Sequence, residues 1–72
     1  MSDAETRECE RLAFVAGRDG LPAAIAFAQQ GYRQYSSAIR EADSGGNQYG
    51  ATYRDSLNAS IAVYQSYIAK NE

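Results

Sequence analysis

The middle of the chain carries one uninterrupted pattern: Leu21, Ile25, Ala28, Tyr32, Tyr35, Ile39 and Ala42 follow one another at alternating steps of four and three residues. That spacing marks one face of an α-helix and does not fit the period of two that a half-buried strand requires. A helix of this length cannot bury its stripe alone, so the rest of the chain must supply the elements that cover it. Pro22 belongs in the first helical turn, where its missing N–H costs nothing, and the cluster Asp43-Ser44-Gly45-Gly46 ends the helix. A second line of small residues, Ala24, Gly31 and Ala38, runs beside the first and offers a groove for close helix approach. Glycine in mid-helix costs about 1 kcal/mol relative to alanine, and close packing at Gly31 supplies a motive for accepting that cost.

Turn-forming clusters at Gly17-Arg18-Asp19-Gly20 and Asp43-Ser44-Gly45-Gly46-Asn47 divide the chain into three helical pieces. The first opens on Ser2-Asp3-Ala4-Glu5, the Ser-x-x-Glu spacing of a capping box, with acidic residues suited to the positive end of the helix dipole. Cys9, Leu12, Ala13 and Ala16 then fall at helical spacing, with Phe14 and Val15 widening the face. The expected helix runs from about Asp3 to Ala16, with Gly17 as its stop. In the third piece Tyr53, Leu57, Ser60, Ile61, Tyr64, Tyr67 and Ile68 share a broader face, giving a helix from about Tyr49 to Ala69, near Lys70 at the negative end of the dipole. The expected fold is a single all-α domain over residues 1–72. In it, a long antiparallel hairpin of the second and third helices is covered by the shorter N-terminal one.

At 72 residues the chain lies near the lower limit for a single core, and much of its apolar fraction is alanine, which buries little area. A partner or a second copy would add what that core lacks. With a net charge of −2, a sequence pI of about 5.0 and seven Lys and Arg scattered without a run, the usual electrostatic footprint for nucleic acid or an anionic membrane is missing. The acidic start, Ser2 to Glu10, does not read as a signal peptide, and no apolar segment reaches membrane-spanning length. Cys9 is the only cysteine, which rules out an internal disulfide and suits a reducing compartment; the expectation is a cytoplasmic protein. Outside an export route, Asn58-Ala59-Ser60 is a chance match to a glycosylation triplet.

Histidine is absent, which removes the commonest general base, the commonest metal ligand and every Ser-His or Cys-His pair. Cys9 lies between Glu8 and Glu10, whose charge disfavours a thiolate, so a buried or half-buried structural cysteine is the expectation. Asp3, Glu5 and Glu8 could pair as carboxylates, but capping and solubility account for them. The stretch from Asp43 has oxygen ligands at its first and fifth positions, like a calcium loop. It places Gln48 where glycine is needed and Arg54 where a bidentate glutamate is needed, so it is rejected. No catalytic residue, cofactor or metal is expected.

Six tyrosines with two phenylalanines and no tryptophan are the remaining anomaly. Tyr32 and Tyr35 on the second helix, and Tyr53, Tyr64 and Tyr67 on the third, occupy the apolar stripes, where a ring can be buried and its hydroxyl left at a wet rim. Core-edge packing is the plainer reading of them. The functional one is a surface for a protein partner, bordered by Arg33, Arg40 and Arg54, because tyrosine and arginine are enriched where proteins bind each other.

From about Gly20 to Ile68, the run Ala24-Ile25-Ala26-Phe27-Ala28, the segment Tyr32 to Arg40, the pair Tyr53-Arg54 and the pair Ser66-Tyr67 together resemble small bacterial helical-hairpin proteins of unknown function. Such proteins tend to be basic, and this chain is acidic. The resemblance implies a helical hairpin and a bacterial or phage source, and it carries no activity. Taken together, the sequence leads to a non-enzymatic interaction or regulatory protein acting through the tyrosine-bearing faces on a protein partner, including a second copy as a homodimer. The alternative is a nucleic-acid-binding regulator that stacks bases on tyrosine.

Overall fold

The computed structural model describes residues 2–45 and 51–71. It contains three helices, α1 (Asp3–Asp19), α2 (Leu21–Gly45) and α3 (Ala51–Lys70), and no strand among the described residues. The expected all-α domain is found: α2 and α3 share the most extensive packing, and α1 lies against both. Residues 46–50, with the expected third-helix start at Tyr49 and the Asn47 and Gln48 positions of the rejected calcium loop, lie outside the described residues.

The capping box at the start of α1 is fully formed. The Glu5 N–H donates to Ser2 Oγ at 3.2 Å, and the Ser2 N–H donates to Glu5 Oε1 at 3.1 Å. Hydrogen bonding to the Ser2 backbone, then to its side chain, holds the Glu5 carboxyl below its ordinary range. Ser2→Ala removes the acceptor and is expected to lower stability by about 1 kcal/mol. A urea titration checks this, and an unmoved midpoint would mean that the box is not formed in solution.

The stop of α1 is Gly20, not Gly17 as the turn cluster suggested. Gly17 sits inside the helix, and a Cβ there would meet nothing within 4 Å. Gly20 carries φ +94°, a region that glycine enters without a Cβ penalty. Its N–H donates to the Ala16 carbonyl at 3.0 Å, while its own carbonyl accepts from the Ala24 N–H at 3.2 Å and so opens α2. The joint is thus a single residue. Arg18 supports the extra turn by pairing with Asp19 at 2.7 Å and lying over the Phe14 ring, 5.1 Å from its centroid.

The core seam on α2 lies between the expected stripe and the line of small residues, with Tyr32 and Tyr35 of the stripe packed against it. Ala24 and Ala28 are completely buried, whereas Leu21, the first member of the expected stripe, is 46% exposed. The cause is Tyr64 of α3, a buried ring that lies against Gly31 and makes an edge contact with Phe27 at 6.2 Å and a tilted one with Tyr35 at 5.8 Å. So large a side chain fits between helices only where the facing residues are small. Leu12 of α1 completes this core, with Tyr32, Val63, Tyr67 and Ile68 packed around it.

Helix α1 is rotated as well. Its buried line is Ala4, Glu8 and Leu12, not the Cys9-containing face expected from apolar spacing. Cys9 is exposed, and the expectation of a buried or half-buried thiol is corrected. Phe14 is 64% exposed. A carboxylate has taken the central inward position that a hydrophobic residue would ordinarily hold.

Candidate functional site

Glu8 has no solvent-exposed surface. Two donors one helical turn apart on α3 satisfy it: Ser60 Oγ donates to Glu8 Oε2 at 2.7 Å, and Tyr64 Oη donates to Glu8 Oε1 at 2.7 Å. The guanidinium groups of Arg7 and Arg11, both half-exposed, stand at 3.4 and 3.3 Å from the same two oxygens. An unpaired buried carboxylate would be prohibitively costly. Here both oxygens are bonded and the charge is balanced from the solvent side, and no buried side-chain N or O among the described residues lacks a partner.

Burial pushes the Glu8 carboxyl up, but the hydrogen bonds from Tyr64 and Ser60 and the charges of Arg11 and Arg7 outweigh it and leave it below its ordinary value of 4.5. Tyr64 moves the other way: burial, and then the neighbouring carboxylate, hold its phenol proton more tightly than usual. The cluster is therefore an ionised acceptor with two fixed donors. With no exposed carboxylate surface and a phenol that keeps its proton, these side chains join α1 to α3 and do not present a base to a substrate. The account of Glu8 as a capping or solubilising residue is corrected accordingly.

The residues assigned to a partner surface do not stay together. Tyr64 is 1% exposed and belongs to the core, so its assignment to a contact face is corrected. Tyr32, Tyr35 and Tyr67 are half-buried around it, and Tyr53 is 47% exposed. Arg54 forms a two-pronged ion pair with Asp43, one arm at 2.9 Å, tying the end of α2 to the start of α3. Hydrogen bonding to Arg54 holds the Asp43 carboxyl down. Arg40 donates to Ser37 Oγ at 3.3 Å, and Arg33 is exposed on α2.

Two shallow, predominantly apolar grooves flank α3. One, of about 420 Å³ against α1, is walled by Leu12, Ala13, Val63 and Tyr67, with Glu5 and Lys70 among its polar lining. The other, of about 360 Å³ against α2, is lined by Tyr32, Gln65, Ile68 and Ala69. Among the described residues no group of three or more His, Cys, Asp or Glu is placed to hold a metal ion, and no helix is long and apolar enough to cross a membrane.

Two signals for the Glu8 cluster were present in the sequence. Glu8 stands four residues from both Ala4 and Leu12, and Ser60 and Tyr64 place two hydroxyls at i, i+4 inside an apolar face. What the sequence does not contain is the pairing of the two lines across more than fifty residues. Comparison with protein-family models, with curated proteins and with solved structures finds no match to this chain.

Proposed function

We propose that the protein is a small non-enzymatic, cytoplasmic interaction module whose α2 and α3 surfaces bind a protein partner, with a second copy of the chain as the partner its thin core favours. The observation that supports this reading is the ring of tyrosines left at the edge of the core: Tyr32, Tyr35 and Tyr67 are half-buried and Tyr53 is 47% exposed. Tyrosine in this position offers a rigid apolar face with a polar tip, the combination favoured at protein interfaces. Arg33 and Arg40 are exposed on the same α2, and Tyr32 and Ile68 already wall an apolar groove in which a partner's side chains can be desolvated.

Sedimentation velocity over a hundredfold concentration range is the test. The expected result is a reversible dimer whose dissociation constant rises by roughly fivefold or more in Tyr53→Ser, the effect of losing an interface tyrosine worth about 1 kcal/mol. Helicity by circular dichroism should stay unchanged. A monomer at every concentration would overturn self-association. An equal loss of association and helicity would return Tyr53 to a purely structural role.

A further inference from the structure

A fully buried carboxylate stands in the contact between α1 and α3. We propose that α1 is a charge-locked cover: ionised Glu8 holds it on the α2–α3 hairpin, and neutralising that side chain releases α1 while the hairpin stays folded.

The groups that face Glu8 come from α1 and α3, and α2 reaches them through Tyr35, which neighbours Tyr64 and Arg11. From α1 itself these are Arg7 and Arg11; from α3, Ser60 and Tyr64; and α2 supplies Tyr35, whose ring lies 5.8 Å from that of Tyr64. Both side-chain hydrogen bonds from α3 to an α1 carboxylate end on Glu8, and Arg11 beside it adds polar contacts to Tyr35 and Tyr64. The fully buried apolar part of the α1 face is Ala4 and Leu12, one large side chain against the core of the hairpin. By contrast, α2 and α3 hold each other through the packing of Tyr64 on Gly31, Phe27 and Tyr35, and through the Asp43–Arg54 pair at the far end. Neither contact requires α1.

The sign follows from the donors. The folded-state carboxyl is held below its ordinary value of 4.5, so the stabilisation is complete above about that pH and is lost as the pH falls through the folded-state value. A neutral carboxyl can still touch Ser60 and Tyr64, but it gives up the charge-assisted strength of both bonds and its attraction to both arginines. Release uncovers Ala28 and Tyr64, which Leu12 of α1 covers, a face continuous with the tyrosines assigned above to a partner. Only this last step, the use of the uncovered face, rests on the interaction reading.

Amide hydrogen exchange of the monomeric chain at pH 6 and pH 3, expressed as protection relative to free peptide, tests the lock independently of any association. In the wild type the α1 amides should lose severalfold more protection than those of α2 and α3 on acidification. In Glu8→Gln the α1 protection should already be low at pH 6 and should not fall further. Glu5→Gln and Asp43→Asn should keep the wild-type response, which separates the lock from the other carboxylates that acid protonates. Equal loss of protection in all three helices, or a wild-type pH response in Glu8→Gln, would overturn the proposal. If Glu8→Gln does not fold, Tyr64→Phe serves instead: with a donor gone, the titration midpoint of the Glu8 carboxyl carbon must move to higher pH, and an unmoved midpoint is equally fatal.

Discussion

Tyr64→Ala is expected to leave the chain largely unfolded at 25 °C, with most of its helical circular dichroism lost. The ring is 1% exposed and forms the centre of the core, packed against Phe27, Tyr35 and Gly31. Truncating a buried aromatic costs about 3–5 kcal/mol. The same change strips Glu8 of one of its two donors inside the protein, adding about 1–3 kcal/mol for an under-satisfied buried acceptor. A domain of this size has a total stability of roughly 4–11 kcal/mol, so the sum approaches the whole. Tyr64→Phe separates the two contributions: it keeps the ring, loses the donor and should remain folded with a lower urea midpoint. If Tyr64→Ala unfolds at the same denaturant concentration as the wild type, the core described here is not the one that forms in solution.

Gly31→Ala should destabilise by about 2 kcal/mol, even though alanine is the better helix former by about 1 kcal/mol. A Cβ on Gly31 would lie 2.5 Å from Tyr64 Cε2 and 2.9 Å from both Cδ2 and Cζ. The ring is buried and flanked by two others, so it cannot swing away, and the helices must separate along the seam. For a domain this small the melting temperature should fall by roughly 8–16 °C. Gly17→Ala is the internal comparison, because a Cβ there meets nothing within 4 Å; it should raise the melting temperature. Two identical substitutions with opposite signs separate helix propensity from packing, and stabilisation by both would mean that Tyr64 does not press on Gly31.

The helices themselves were legible in the sequence. The four-three spacing on α2, the capping box at Ser2 and the Gly31 groove all describe what the chain does locally, and each is found in the fold. The rotation of the faces was not legible. Hydrophobic spacing found Ala28 but weights large residues such as Leu21, whereas the α2 seam is chosen by what α3 inserts, and Tyr64 needs Gly31 opposite it. On α1 the same reasoning favoured Cys9 over its neighbour, because a glutamate is inward-facing only when partners exist, and those partners are 52 and 56 residues away. The stop at Gly20 was misplaced for a smaller reason: both glycines of the cluster qualify as helix ends, and the one that meets the start of α2 adopts the positive φ.

That same separation orders events during synthesis. Glu8 leaves the peptidyl-transferase centre 52 residues before Ser60 and 56 before Tyr64. At about 5–20 residues per second the delay is roughly 3–11 s, whereas helices form within microseconds. Within that delay α1, and then α2 once it is made, can be helical with an ionised carboxylate in the middle of the face that would otherwise close on the alanines of α2. The charge keeps that face hydrated and discourages a premature two-helix collapse. Only α3 brings the hydroxyls that let the carboxylate leave water, so α1 cannot settle before α3 is made.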